Sequence, residues 1–425
     1  MANPVNPPRG MRDFLPAEKA RRERVLGVIR DTYTAHGFDE IETPVMEDSA
    51  RLHAGLGGDN EKLAFGVLKR GLTTEDFATA TEALDLADLG LRFDLTVPLA
   101  RFYASHQSEL PSVFRAIQIA PVWRAERPQK GRYRQFVQCD IDIIGEAGVL
   151  AEVELIAATT ATLDALGIDG CSIRINDRRL LASMLTVLGF PVAEHAAALI
   201  TIDKLDKLGR DGVVAELRDR AFPAGPVDAL EAFLGRALTE SAPFGDAAIR
   251  AQLPEGVDES VIAELVALGD AVGESARSML QFDPFLVRGM GYYTGTIFEI
   301  AHPDYGYSLG GGGRYDGMIG RFLGTEVPAV GFSLGFERLV DLVALTDREV
   351  AESVALLYGP DVAPHTLLAL KSALIAEGKR VRIERRPKNV KLLLDGLAAS
   401  GFTAFASVGP AVTSVDDLEF RALGD

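Results

Sequence analysis

Residues 114–145, FRAIQIAPVWRAERPQKGRYRQFVQCDIDIIG, constrain this chain more than any other stretch. An apolar, β-rich segment over 116–124 leads into a turn carrying Arg127, Pro128, Gln129, Lys130, Gly131 and Arg132. A second β-rich segment follows over 134–144. The hairpin this predicts gathers Arg124, Glu126, Arg127, Lys130, Arg132 and Arg134 at one end. In a chain of net charge −17, so many cations around one turn point to a negatively charged ligand. Alternation assigns Gln138, Asp140 and Asp142 to one face of the returning strand and Val137, Cys139, Ile141 and Ile143 to the other. Two readings fit that division: the floor of a polar pocket, or an exposed sheet face with surface ion pairs.

The chain has 425 residues, 47 % hydrophobic and 25 % charged, enough for two or three globular domains. No run reaches the roughly 18 apolar residues of a membrane span, and MANPVNPPRGMRDFLP lacks an apolar signal core. A cytoplasmic protein with no membrane partner is therefore expected. Cys139 and Cys171 show no paired spacing, and the six His form neither HExxH nor a zinc-finger pattern, so neither zinc nor a disulfide is expected. The acidic balance opposes broad nucleic-acid binding but leaves room for a local basic patch.

Along the chain, residues 16–36 have helical periodicity. Residues 39–47 read as a strand whose Pro44 suggests an edge or subunit boundary. Residues 91–101 read as a short strand with Asp94 and Thr96 on one side, then a helix near Pro98. A helix over 151–166 and a strand over 170–176 precede a charged, helical insertion at about 201–278. Strands resume over 285–300, and four consecutive glycines at 310–313 suggest close approach of backbone to a flat ligand. Gly331, Ser333 and Gly335 match a GxSxG elbow, which is set aside because no His or acid stands in a suitable order. Arg338, near a helix start, is a better candidate as a phosphate cation. From residue 353 a β-α-β-α-β order predicts a parallel sheet with covering helices, and a basic cluster between Lys379 and Lys391 suits either a phosphate backbone or a solvated face.

No GxxxxGK[ST] or GxGxxG is present, so nucleotide phosphates would be gripped by arginine side chains. The strings GMRDFLP, RFDLTVPLAR, WRAERPQKGRYRQF, VRGMGYYTGTIFE, SLGGGGRYDG and GFSLGFERL resemble the histidyl-tRNA synthetases, a family of class II aminoacyl-tRNA synthetases, in that family's order. The resemblance runs from residue 9 to about 409. It implies an α+β catalytic domain over 1–345, with an antiparallel sheet of six or seven strands flanked by helices and the insertion at about 201–278. A short C-terminal α/β domain like an anticodon-binding module would cover 352–425, and a homodimer would form through the segment around Pro44.

Carried over at matching positions, the resemblance implies that Arg124 holds the ATP α-phosphate, with Arg132 and Arg338 on the outer phosphates and Glu126 at the adenine. Asp94, Thr96 and Gln138 would hold the α-amino group of L-histidine, and Asp142 with Tyr293 would read its imidazole. Arg288 would be the catalytic residue, stabilising charge as the histidine carboxylate attacks the α-phosphorus. Arg127 and Gln129 would meet the acceptor end of histidine tRNA. The implied cofactor is ATP with Mg2+, without zinc.

Met290 and Gly291 depart from the Leu-Asp common in the family before the two tyrosines, and Asp94 and Asp142 are a methylene shorter than the usual glutamates. The C-terminal module ends short of an expected last strand and helix. Two alternatives stand beside synthesis: a histidine-sensing regulatory subunit of ATP phosphoribosyltransferase, and a paralogue that charges another acceptor.

Overall fold

The computed structural model describes residues 5–54, 62–129, 131–237, 244–288, 291–343 and 352–423. Lys130 and Met290 lie outside the described residues. The chain divides into two compact units, Met1–Arg12 with Leu26–Val343, and Asp13–Val25 with Ala344–Asp425.

In chain order the strands of the first unit are β1 (Asp39–Glu40), β2 (Met46–Asp48), β3 (Phe65–Leu68), β4 (Ala87–Leu91), β5 (Phe114–Trp123), β6 (Gln135–Ile144), β7 (Ser172–Asp177), β8 (Leu280–Phe282), β9 (Thr296–His302), β10 (Tyr305–Arg314) and β11 (Ala329–Gly335). Eight of them form one sheet in the order β1-β5-β6-β11-β10-β9-β7-β8, and β2-β4-β3 form a small second sheet. Between β7 and β8 the described residues are mainly helical, including Leu205–Asp219, Ala224–Ala237 and Glu259–Ala271. In the second unit β12 (Ser353–Tyr358), β13 (Arg380–Arg385), β14 (Ala404–Val408) and β15 (Phe420–Ala422) give the order β13-β12-β14-β15.

Strand β6 is the spine of the large sheet, and its alternation has the consequence the sequence suggests. Cys139, Ile141 and Ile143 are fully buried on one face, and the helix Leu150–Ala165 packs against β6 and β11. Each such aliphatic side chain contributes ~1.5–3 kcal/mol on burial. On the other face, the register sets small residues beside the polar ones. Asp142 lies between Ala116 and Gly331, and Gln138 between Ala120 and Gly335. One strand further out, Gly313 faces Gly331 and Gly311 faces Ser333. This floor carries few side chains of its own, so the acids have open space above them.

Glycine is required here by room rather than by backbone angle. A Cβ on Gly331 would lie 2.0 Å from Asp142 Oδ1, one on Gly313 2.9 Å from Tyr293 Cδ1, and one on Gly311 2.8 Å from Arg288 Cζ. Phe298 of β9 and Phe332 of β11 stack beneath, with centroids 5.4 Å apart.

Four expectations need correction. The large sheet has eight strands rather than six or seven, and its two outer pairs, β1 with β5 and β7 with β8, are parallel. Residues 39–47 are not one strand. Asp39–Glu40 joins the large sheet and Met46–Asp48 the small one, because between them buried Arg92 takes the carbonyls of Thr43 (2.7 Å) and Pro44 (3.3 Å) out of any ladder. Asp94 and Thr96 are not on a strand: β4 stops at Leu91, and Thr96 opens the helix Thr96–His106, whose Pro98 sits in the first turn, where no N–H is needed. The described residues of 285–295 are not strand, since Phe285, Leu286 and Val287 bury as irregular chain and Arg288 turns left-handed at φ 56°.

The second unit keeps three parallel strands in the expected β-α-β-α-β order. It then adds β15, antiparallel to β14. Val354, Leu356, Leu370 and Leu374 are buried on one side of its sheet, Leu357, Leu397 and Phe402 on the other. Cys139 and Cys171 are buried and not joined in a disulfide. Among the described residues no helix is long and apolar enough to cross a membrane.

Candidate active site

One cavity of about 1050 Å3 opens above the glycine floor and is lined by Asp94, Thr96, Arg124, Glu126, Arg132, Gln138, Asp142, Arg288, Tyr293 and Arg338. These residues come from five separate parts of the first unit: the β4–helix loop, the hairpin, the stretch before β9, the β6 face and the helix after β11. Arg127 and Gln129 are not among its lining residues. Both are exposed on the turn, where Gln129 and Arg132 exchange backbone hydrogen bonds of 3.1 and 2.9 Å. Arg124 and Glu126 lie just beyond the end of β5 rather than on it.

The floor of the cavity is acidic. Asp94 is buried and its Oδ1 accepts from Val97 N at 3.2 Å, tying it to the helix start. Tyr315 donates to Asp142 Oδ1 at 2.6 Å. Burial raises the Asp142 carboxyl from 3.8 to about 7, with Asp94 adding to the rise and Tyr315 opposing it. Asp140 is pushed well above the carboxylate range by burial first and by the neighbouring charge of Asp142 second. Gln138 Nε2 donates to Ser333 Oγ at 3.1 Å and to Asp140 Oδ2 at 3.3 Å, while its buried Oε1 has no partner among the described residues. That oxygen is an acceptor awaiting a donor. Tyr292 and Tyr293 form an edge-to-face pair with centroids 4.8 Å apart, and burial raises both phenols, so they remain hydrogen-bond donors at neutral pH.

The wall beside the hairpin is cationic, and two of its arginines, Arg124 and Arg338, are held by main-chain carbonyls. Arg124 Nε donates to Phe93 O at 2.9 Å, with its guanidinium 5.0 Å from the Phe136 ring centroid. Arg338 Nε donates to Gly131 O at 3.1 Å and Nη1 to Ser308 O, while Tyr307 lies 5.1 Å beneath. Burial lowers the basicity of Arg338 and the nearby charge of Arg132 lowers it further, which is the signature of like charges gathered for an anion. Burial likewise lowers Arg124, opposed by Asp94 and Glu126. Arg288 Nη1 donates to Glu299 Oε2 at 2.8 Å, and its buried Nε has no partner among the described residues. A left-handed φ at a non-glycine residue costs about 1–3 kcal/mol, and such strain collects at functional positions.

The N-terminal GMRD segment braces this wall. Gly10 O accepts from Arg134 N at 2.8 Å, Arg12 stacks 3.6 Å from the Tyr133 centroid and pairs with Glu337, and Glu337 accepts from Val137 N at 3.3 Å. Gly10 has φ 84°, and a Cβ there would strike Pro128 at 2.7 Å.

Four further residues, Asp140, Tyr315, Ser333 and Glu299, also line the cavity but were not among the sequence candidates. Alternation alone already set Asp140 beside Gln138 and Asp142. Tyr315 and Glu299 gave no comparable signal, since their partners Asp142 and Arg288 are 173 and 11 residues away and are met only through the fold.

A chain that joins buried acids to carbonyl-anchored arginines in one cavity can bind a cationic or donor-rich group and a polyanion side by side. The family model described as "Histidyl-tRNA synthetase" matches residues 10–339. A histidine–tRNA ligase of Leifsonia xyli subsp. xyli is 63 % identical over 420 residues, 96 % of either chain. A probable histidine–tRNA ligase of Tropheryma whipplei is 44 % identical over 423 residues, again 96 % of each. The crystal structure of histidyl-tRNA synthetase from Nostoc sp. PCC 7120 has the same fold, with a TM-score of 0.76 at 24 % identity over 99 % of this chain and 95 % of that one. The chain belongs to the histidyl-tRNA synthetase family.

Proposed function

We propose that this protein activates L-histidine with Mg-ATP and transfers the histidyl group to the 3′ end of histidine tRNA. One observation carries the reading: arginines from the hairpin, the pre-β9 stretch and the post-β11 helix line the same cavity as the buried carboxylates of β6. In the first step a histidine carboxylate oxygen attacks the α-phosphorus, the bond to the bridging oxygen breaks, and pyrophosphate leaves with the electron pair. No proton has to be removed from the nucleophile, so positioning and neutralisation supply the catalysis. Arg124 binds the α-phosphate, Arg132 and Arg338 the outer phosphates, Glu126 the adenine, and Arg288 the charge that develops on the α-phosphoryl group. Asp94, Thr96 and Gln138 receive the ammonium, with the unpartnered Gln138 Oε1 as one acceptor. Asp142 accepts from one imidazole nitrogen and the Tyr293 phenol serves the other. In the second step a ribose hydroxyl of the terminal adenosine attacks the histidyl carbonyl and AMP departs.

The remaining elements of the reading concern assembly and tRNA. Arg127 and Gln129, exposed beside the cavity on the turn, meet the acceptor end. Residues 1–345 act as the catalytic domain with its insertion at about 201–278, and 352–425 as an anticodon-binding module, on which Arg380 and Arg382 stack 4.5 and 4.7 Å from the Phe402 centroid. A homodimer is supported by exposed Val45, Met46, Leu68 and Leu89 on and beside the small sheet. The protein acts in the cytoplasm. The regulatory-subunit reading is disfavoured because Arg124, Arg132, Arg288 and Arg338 are all retained, and both curated relatives above carry ligase names. Aminoacylation of histidine tRNA transcripts with and without the extra 5′ guanosine tests the acceptor. Charging that needs that nucleotide is expected, and adenylate formation without charging of either transcript would move the assignment to another acceptor.

A further inference from the structure

Across the sheet, one row of residues runs from Arg174 in β7 through Glu299 in β9 to Gly311 in β10, each directly opposite the next. Gly311 leaves its place in that row empty, and the guanidinium of Arg288 fills it: a Cβ on Gly311 would come within 2.8 Å of Arg288 Cζ and 2.9 Å of Nη1. Arg288 arrives from an irregular stretch with a left-handed backbone, so no helix or strand fixes its aim. Its one side-chain ion pair among the described residues is with Glu299, Nη1 to Oε2 at 2.8 Å. The other oxygen of Glu299 is taken by Arg174 Nη1 at 3.2 Å. Arg174 is in turn held by Asp283 (Nε to Oδ2, 2.6 Å) and by Asp206 at the start of the helix Leu205–Asp219 (2.7 Å). A carboxylate gripped at both oxygens cannot rotate away from either partner.

We infer that Glu299 is a positioning residue for adenylation: it holds Arg288 over Gly311 so that the remaining donors of the guanidinium, Nε among them, face the α-phosphoryl group, and Arg174 fixes Glu299 for that task. The inference rests on the role given to Arg288 above. Because the ground state of ATP is bound chiefly by other arginines, loss of aim at Arg288 should appear in rate rather than in binding.

The test is steady-state ATP–pyrophosphate exchange by the full-length protein with wild type, Arg288→Ala, Glu299→Gln and the double variant. Glu299→Gln keeps the shape and removes the charge. It is expected to lower kcat about 10- to 100-fold with the KM values for histidine and ATP changed less than about threefold. The double variant is expected within about threefold of Arg288→Ala alone, since both changes remove one device. A kcat for Glu299→Gln within twofold of wild type, while Arg288→Ala is crippled, overturns the inference and leaves the role of Arg288 standing. Losses that multiply in the double variant overturn it too. An unaffected Arg288→Ala overturns the underlying role instead. Should Glu299→Gln fail to fold, Glu299→Asp, which withdraws the carboxylate by one methylene, takes its place: a lowered kcat at unchanged KM supports the inference, and an unchanged kcat overturns it.

Discussion

At the acidic floor of the cavity the functional groups grow from regular structure. Gln138, Asp140 and Asp142 alternate along β6, the neighbours of Gln138 and Asp142 are alanine and glycine, and Tyr315, Ser333 and Val97 N hold them or Asp94 in position. At the cationic wall nothing is regular: Arg124, Arg132 and Arg288 lie on turns and irregular chain, and Arg338 on a helix of one turn. There Arg124 and Arg338 are anchored by the main-chain carbonyls of Phe93, Gly131 and Ser308, and Arg288 by the carboxylate of Glu299. The difference matches what the proposed function asks of each end. A small ring is discriminated by stiff, desolvated groups at fixed spacing, whereas a triphosphate that enters and leaves as pyrophosphate is better gripped by long side chains tethered at one edge. Burial pushes the carboxyls toward neutrality, and burial first and crowding with Arg132 second lower the basicity of Arg338.

The contrast can be broken at either end, and the effects should fall in a definite order. Arg288→Ala should lower the adenylation rate by about 10²–10³-fold with little change in ATP affinity, measured by single-turnover adenylate formation. A rate within threefold of wild type would remove Arg288 from the chemistry. Asp142→Asn keeps the shape and the bond from Tyr315 but loses the charged acceptor. It should raise the histidine KM about 10- to 100-fold and leave the ATP KM alone, as read by exchange kinetics over both substrates. Arg338→Ala should do the converse, raising the ATP KM about tenfold with the histidine KM unchanged. If either variant moved both constants together, the two ends would not be separable.

The smallest effect expected is on pH. With its carboxyl at about 7, Asp142 is largely protonated at pH 6 and largely ionised at pH 8, and the ionised form is the stronger acceptor for the imidazole N–H in the proposed role. The histidine KM should therefore fall several-fold between pH 6 and 8, and the fall should flatten in Asp142→Asn. An identical profile in the variant would assign the dependence elsewhere. For stability the sign runs the other way: the folded carboxyl binds its proton more tightly than the unfolded one, so this group favours folding when protonated and that advantage is lost as pH rises from about 4 to about 7. Thermal melts of Asp142→Asn should show a weaker decline across that window.

The acidic floor was legible in the sequence because a strand encodes its faces at a period of two, so VQCDIDII announces both a core side and a polar side. The four glycines were legible for a related reason, since only close contact from above justifies them in a strand. The wall was harder to read. Arg124 and Arg132 stood out by the crowding of cations at the hairpin and Arg338 by its helix start, Arg288 only by the family strings, and the carbonyls that hold Arg124 and Arg338 leave no trace in side-chain identity. Asp94 and Thr96 were misread as a strand because alternation continues across the end of β4. Only the demand of Arg92 for the Thr43 and Pro44 carbonyls, and of Arg124 for Phe93 O, shows why the chain turns there. The parallel edges of the sheet escaped notice for want of length: β1 has two residues and β8 three, too few for a pattern. Glu299 sits in a stretch that reads simply as aromatic and β-branched, and its partnership with Arg288 depends on the empty place at Gly311.

Exchange of labelled pyrophosphate into ATP by the purified protein, with each amino acid supplied singly, tests the joining of the two ends most directly. Exchange that appears with L-histidine, and with no other amino acid at comparable concentration, is the predicted result. No exchange at saturating histidine and Mg-ATP, from protein that binds both, would contradict it.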